Sequence, residues 1–233
     1  MNNVMQATWV ELFKARRSKV PLLTGLGFTL APLAGGFFMI ILKDPEFARR
    51  VGLISAKAQL VAGVADWPTY LELLAQATAI GGLILFSLVG SWVFGREYSD
   101  RTVKDLLALP TSRPAIVAAK FTVIATWSAV LVAIIYLIGL SVGALVGLPQ
   151  GSTQLILQGG VTIAITAGLT IASITPIIFF ASAGHGYLPP MGVAILAIFL
   201  AQIIAVAGWG EYFPWSIPAL YSQGENLAMI SYL

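Results

Sequence analysis

Residues 121–210 read FTVIATWSAVLVAIIYLIGLSVGALVGLPQGSTQLILQGGVTIAITAGLTIASITPIIFFASAGHGYLPPMGVAILAIFLAQIIAVAGWG, 90 residues without one Asp, Glu, Lys or Arg. The last Lys or Arg of the 233-residue chain is Lys120, and beyond it stand only Glu211, Glu225 and a lone His185. The surface of a water-soluble domain is rich in charged groups. A lipid bilayer removes that need, so this stretch reads as membrane-embedded.

Working outward, the apolar runs divide into spans of about 20 residues, the length that crosses a hydrocarbon core as helix. Span one is Val20–Leu42 and span two is Leu73–Gly95. Span three runs from Phe121 to about Gly147, span four from about Leu155 to Ala181, and span five from about Met191 to Gly208. Leu148–Ser152 reads as a turn, and Gly184–Pro190 breaks the pattern again. The Trp209–Pro218 segment, dense in aromatics and prolines, suits a membrane interface. The runs lack the period-two alternation of membrane strands. The predicted fold is therefore all-α: a polytopic helical membrane protein with five spans in a single domain, residues 1–233. With 58% hydrophobic and 10% charged residues the composition agrees, and the absence of Cys excludes disulfides and thiolate chemistry. A cleavable signal peptide is not evident, because the first apolar run is too long for a signal core.

Basic residues set the orientation. Lys14, Arg16, Arg17 and Lys19 precede span one, and Arg96, Arg101, Lys104, Arg113 and Lys120 lie between spans two and three. Lys43, Arg49, Arg50 and Lys57 fall between spans one and two. Nine against four places the N-terminus in the cytoplasm. Residues 43–72 then form an external segment, with Asp66 capping the helix that enters span two and Pro68 in its first turn. The net charge of +3 says little about nucleic acid, since the basic groups flank apolar spans. Within residues 1–19, Val4, Met5, Trp9, Leu12 and Phe13 recur at helical spacing, which suits a helix lying in the interfacial plane.

The cytoplasmic segment 95–120 carries the most chemistry. Thr102 with Asp105 approximates a capping box, so a helix of about two turns starts at Val103 and stops before Pro110. Val103, Leu106, Leu107 and Leu109 make it apolar between flanking charges, the makeup of a protein-docking element or of a helix resting on headgroups. The run Glu97…Arg101-Thr102-Val103-Lys104-Asp105-Leu106-Leu107…Pro110-Thr111-Ser112-Arg113…Lys120 resembles the first cytoplasmic loop of type-2 ATP-binding-cassette (ABC) exporter permeases. Arg101 stands where that family often has Gly, a departure that bears on the local turn. The resemblance extends to the amphipathic N-terminal helix, the span spacing and Phe213-Pro214-Trp215…Pro218, although only the loop is specific.

The resemblance implies that this loop is a coupling helix seated in a cleft of an ATPase subunit. Glu97, Asp100, Arg101, Thr102, Lys104, Asp105, Leu106, Leu107, Pro110 and Arg113 are then the ATPase-coupling residues. It implies two ABC ATPase subunits that carry ATP and Mg, a second permease chain, identical or homologous, and a bacterial cytoplasmic membrane. Small members of the family serve in export of, or immunity to, peptide antibiotics of the bacitracin and lantibiotic kind. The family pattern has a sixth span, for which Leu227–Leu233 reads as the first two turns; a five-span protein is the alternative.

The chain has no Gly-x-x-x-x-Gly-Lys-Ser/Thr phosphate loop, so hydrolysis of ATP falls to a separate subunit. Spans one to five as drawn contain no charged residue, which disfavours an ion-coupled carrier. His185 lacks a neighbouring His or acid, and neither a metal site nor a catalytic group is expected. A membrane anchor or assembly subunit without a transport path is the other reading.

Small residues recur every fourth position in span three (Gly139, Gly143, Gly147) and span four (Gly160, Ala164, Gly168), which predicts close packing of these two spans on each other, with a seam between two chains as the alternative. Thr162, Thr166 and Thr170 lie about 200° round span four from that stripe. Either their hydroxyls bond back to the preceding turn, or they form, with Gln76, Ser87 and Ser91, the wall of a path for an amphipathic or lipid-like substrate.

Overall fold

A computed structural model describes residues 3–44, 64–104, 111–184 and 186–224. In chain order the helices are α1 (Asn3–Arg16), α2 (Val20–Lys43), α3 (Trp67–Ser99), α4 (Arg113–Val146), α5 (Thr153–Ala183), α6 (Leu188–Val206) and α7 (Ile217–Ser222), with a 3-10 turn at Gly210–Tyr212. Among the described residues all regular structure is helical. Five helices, α2 to α6, are long and apolar enough to cross a membrane. The protein is thus an all-α, polytopic membrane protein.

The helices outrun the spans drawn from hydropathy. At 33 residues α3 is about 50 Å long, so its ends emerge from a hydrocarbon core of about 30 Å. The charged groups Glu97 and Lys120, placed in the connecting segment by the sequence, are helical residues of α3 and α4. Local chemistry accounts for several boundaries. Asp66 accepts from the Thr69 N–H at 2.9 Å and Pro68 stands in the first turn of α3, as expected. Gly147 closes α4 with φ 66°, and the Leu148 N–H reaches back to the Gly143 carbonyl at 3.2 Å. This is the six-to-one bond of a Schellman turn, for which a left-handed residue is required.

Helix α3 is the centre of the bundle and packs on α2, α4, α5, α6 and α7. A Cβ added to Gly159, Gly82 or Gly90 would meet Leu71, Thr170 or Ile178 respectively, and each pair is 88 positions apart. A constant difference means that α3 and α5 run parallel along their length. That is what alternating spans two and four require. Helix α4 runs antiparallel to α3: a Cβ on Gly139 would meet Leu74, and one on Gly143 would meet Trp67.

These contacts correct the packing expectation. The glycines of α4 admit side chains of α3, not of α5, because large residues, Leu74 and Trp67, project from α3 at the matching height. Only at Gly160 does the α5 stripe meet α4, where Tyr136 fills the space and its hydroxyl donates to the Ile156 carbonyl at 3.0 Å. Ala164 is exposed and Gly168 has nothing within 4 Å of an added Cβ. The threonine side of α5 faces the interior in its place: Ile163, Thr166, Thr170, Ile174 and Ile177 are buried.

The segment expected at a membrane interface leaves Trp209 and Tyr212 largely exposed, while Trp215 and Ser216 turn back against the bundle. Gly208, with φ 80°, ends the α6 direction. Trp215 Nε1 then donates to the Ser173 carbonyl at 2.9 Å, and Ser173 Oγ donates to the Pro214 carbonyl at 3.2 Å. Ser173 lies about two-thirds of the way along α5. Three residues on, Pro176 lacks an N–H and its ring crowds the preceding turn, which loosens the carbonyls there. Helix α7 climbs back between α3 and α5, and Gly224 ends level with the N-terminal turns of α3. The expected sixth span at Asn226–Leu233, the external segment from 45 to 63 and His185 lie outside the described residues.

Candidate functional site at the basic end

The end of the bundle that carries α1, the C-terminus of α3 and the N-terminus of α4 holds the exposed loop. Helix α3 stops in a second Schellman turn. The Thr102 N–H bonds the Glu97 carbonyl at 2.9 Å, and the Arg101 N–H bonds the Tyr98 carbonyl at 3.2 Å. Arg101 occupies the left-handed position, φ 58°, that Gly would take without strain. The departure from Gly therefore leaves the turn intact, and the arginine carries the strain. The chain resumes helical geometry at Val103 and Lys104 directly after Thr102, where capping was expected. Ser112 in extended geometry leads into α4, with Pro114 in the first turn.

Asp100, Arg101, Thr102, Lys104 and Arg113 are exposed, so five of the residues expected to face a partner are accessible. Asp105, Leu106, Leu107 and Pro110 lie outside the described residues. Glu97 is placed differently. It is 4% exposed, with its carboxylate turned into the protein, so it cannot offer a docking contact without leaving its partners.

Those partners form a buried ion cluster. Lys120 Nζ lies 2.9 Å from Glu97 Oε2 and 3.6 Å from Glu11 Oε2, and also donates to the Val93 carbonyl. Lys14 Nζ lies 2.8 Å from Glu11 and 3.4 Å from Glu97. Arg96 adds longer contacts to both acids, at 4.0 and 3.6 Å, and stacks over Trp92 at 4.7 Å. Three cations thus hold two carboxylates. Burying an ion costs several kcal/mol unless its partners satisfy it, so the cluster pins α1, α3 and α4 to one another.

Helix α1 explains why Glu11 reaches the cluster. It exposes Val4, Met5, Trp9, Leu12 and Phe13, with Trp9 70% accessible, and buries Glu11 and Ala15 on its other side. In water this would be inside out; at a membrane surface the apolar face meets lipid. Sequence reading passed over Glu11 and gave Lys120 no role. The available signal was that Glu11 is the only acid in the first 43 residues and lies off the apolar stripe.

The residues expected to wall a path are mostly sealed. Ser87, Ser91, Thr166 and Thr170 have no exposed surface. Ser91 donates to the Ser87 carbonyl at 2.6 Å and Thr170 to the Thr166 carbonyl at 2.8 Å, the back-bonding arrangement. The Ser87, Ser128 and Thr166 hydroxyls are buried without a partner. None of these four lines a described cavity. Thr162 does, in a cleft of about 380 Å³ at the opposite end, bounded by α3, α5 and α7. Gln76 sits nearby on α3, donating to Glu72 at 3.2 Å. Among the described residues no three His, Asp or Glu side chains gather as metal ligands.

With this arrangement in view, comparison with known proteins is informative. The sequence model of a family described as ABC-2 family transporter protein matches residues 7–201. The bacitracin transport permease protein BCRB of Bacillus licheniformis is 27% identical over 143 residues, which covers 61% of this chain and 69% of that one. No solved structure matches.

Proposed function

Since the chain belongs to the ABC-2 family of transporter proteins, and is thus a transporter permease, we propose that it is the membrane-spanning subunit of an ATP-driven exporter. The observation that carries this reading is the exposed turn Asp100–Lys104, which leaves the central helix α3 at the end where basic residues gather. With that end in the cytoplasm, two ATPase subunits dock on the 95–120 loop and supply ATP and Mg. This chain lacks a phosphate loop and leaves hydrolysis to them. Leu106 and Leu107 fill an apolar cleft of the ATPase, while Asp100, Arg101, Thr102, Lys104, Asp105, Pro110 and Arg113 form the rim. Buried anchors carry most of such an affinity and exposed ion pairs little.

Glu97 takes a different part. A push on the loop travels through Glu97, Lys120 and Glu11 to the first turns of α4 and to α1, so the helices move as one body. The sealed interior argues that the substrate path runs between this chain and a second permease chain. The bacitracin permease is the relative that favours an amphipathic peptide as substrate. The domain is residues 1–233, in a bacterial cytoplasmic membrane.

A sealed interior is equally what a non-transporting assembly subunit needs, and that is the second reading. Reconstitution with the co-purified ATPase separates them. Leu106→Asp combined with Leu107→Asp is expected to abolish ATP-dependent transport while insertion continues. Transport at the wild-type rate in that variant, or wild-type chain that never captures an ATPase, overturns the proposal.

A further inference from the structure

The cleft at the opposite end is lined by Pro68, Leu71 and Glu72 of α3, Thr162 of α5, and Tyr221 to Gly224. Its volume, about 380 Å³, lies in the range of small-ligand sites. Apolar wall comes from Pro68, Leu71 and the Tyr221 ring, and hydrogen-bonding groups from Thr162, Tyr221, Ser222 and Gln223. Glu72 is the one charged residue among the lining. Its described hydrogen bond comes from the neutral amide of Gln76, and among the described residues no basic side chain lines the cleft.

Two of the three elements that wall it are held by side-chain hydrogen bonds. The α3 turn is fixed by the Asp66 cap, 2.9 Å from the Thr69 N–H. The α7 wall hangs from Trp215 Nε1 on the Ser173 carbonyl, 2.9 Å, and from Ser216 Oγ on the Ala201 carbonyl, 3.2 Å. The cleft is therefore preorganised, and a ligand would not have to order it.

We propose that this cleft binds a cationic amphiphile, its ammonium or guanidinium group paired with Glu72 and its apolar portion against Leu71, Pro68 and Tyr221. A carboxylate without a cationic partner among the described residues, framed by apolar wall and hydroxyls, selects for positive charge carried on a hydrophobic body. A charge-assisted hydrogen bond is stronger than a neutral one, so charge is the main discriminant. The site rests on the transport reading only for its role, as the place where cargo is held at the face opposite the ATPases; binding itself needs no ATPase.

The test uses full-length chain in phosphatidylcholine nanodiscs without any ATPase. The probes are a dansyl-labelled dodecylammonium and a dansyl-labelled dodecyl sulfate. Saturable fluorescence enhancement is expected with the ammonium and not with the sulfate. Glu72→Gln should weaken it about two- to fivefold, and raised salt should weaken it in the wild type. Glu72 is exposed, so its replacement does not threaten folding. Thr162→Trp, which fills the cleft and keeps Glu72, should abolish saturable binding. Equal binding of the two probes, or unchanged affinity in Glu72→Gln or Thr162→Trp, overturns the site. If ATP-dependent peptide transport persists in that event, the site alone falls and the transport reading stands.

Discussion

Lys120 and Glu97, 23 residues apart in sequence, meet at 2.9 Å with both side chains 5% exposed, and Glu11 completes the pair from a third helix. Without Lys120, Glu97 keeps only the longer contacts of Lys14 and Arg96, at 3.4 and 3.6 Å, so the loss approaches but stays below the about 3–5 kcal/mol of a fully stranded buried charge. Lys120→Met is therefore expected to lower the thermal midpoint of detergent-solubilised protein sharply. Lys120→Met with Glu97→Gln should recover part of the loss, because the carboxylate that lost its shortest partner is gone. If the double variant is as unstable as the sum of the singles, the two groups are uncoupled and do not join the helices.

Arg101 presents a smaller and opposite case. Its φ of 58° costs an L-residue roughly 1 kcal/mol that glycine avoids. Arg101→Gly should stabilise the protein by about 0.5–1 kcal/mol, the gain being trimmed by the greater freedom of glycine in the unfolded chain. Arg101→Val, branched at Cβ in the same conformation, should destabilise it. Denaturation midpoints measured in one detergent decide between these outcomes, and a Val variant as stable as the Gly variant would refute the strain argument.

Two glycines with the same sequence spacing should respond with opposite signs. A Cβ on Gly143 would lie 2.5 Å from the Trp67 ring, a rigid group that is buried and cannot swing away. Gly143→Ala is expected to cost about 1–3 kcal/mol through overpacking. Gly168 has nothing within 4 Å, and Gly168→Ala should gain up to about 1 kcal/mol from helix propensity alone. Midpoints that shift together in the two variants would show that the α3–α4 seam is looser than these contacts make it.

The reach of the sequence is clear from the same residues. Ninety uncharged positions leave a chain no alternative to the bilayer, so the number and type of spans could be read directly. A four-residue spacing of small side chains says that something approaches closely but not what. Leu74 and Trp67 of α3 were the partners of Gly139 and Gly143, and nothing local to α4 records that. The threonines of α5 left two readings open for a related reason. A hydroxyl that bonds its own preceding turn is as compatible with a sealed interface as with a path, and Thr170 does bond Thr166. Glu11 was hidden because two of its partners, Arg96 and Lys120, are more than 80 residues away, while Lys14, three residues on, reads as an ordinary pair on one helix. Aromatics and prolines between Trp209 and Pro218 suit a membrane surface and a buried return equally well, since both demand satisfied indole N–H groups and few free backbone donors.

That buried return can be tested through Trp215. Its indole N–H holds the Ser173 carbonyl at 2.9 Å, while the one Ser173 hydroxyl proton is shared between the Leu169 carbonyl at 2.9 Å and the Pro214 carbonyl at 3.2 Å, so the indole is the main fastening to α5. Trp215→Phe keeps most of the ring area and deletes one bond, worth about 0.5–1.5 kcal/mol. That is small against global stability but large for a segment with few other tethers. The expected result is a nearly unchanged thermal midpoint together with faster amide exchange from Trp209 to Gln223. Because the chain contains no Cys, a single Gln223→Cys can report the same loosening by its rate of maleimide labelling, which should rise several-fold when Trp215→Phe is added. An unchanged labelling rate would mean that the anchor is redundant with Ser216 and Ala201, whose 3.2 Å bond would then hold the return by itself.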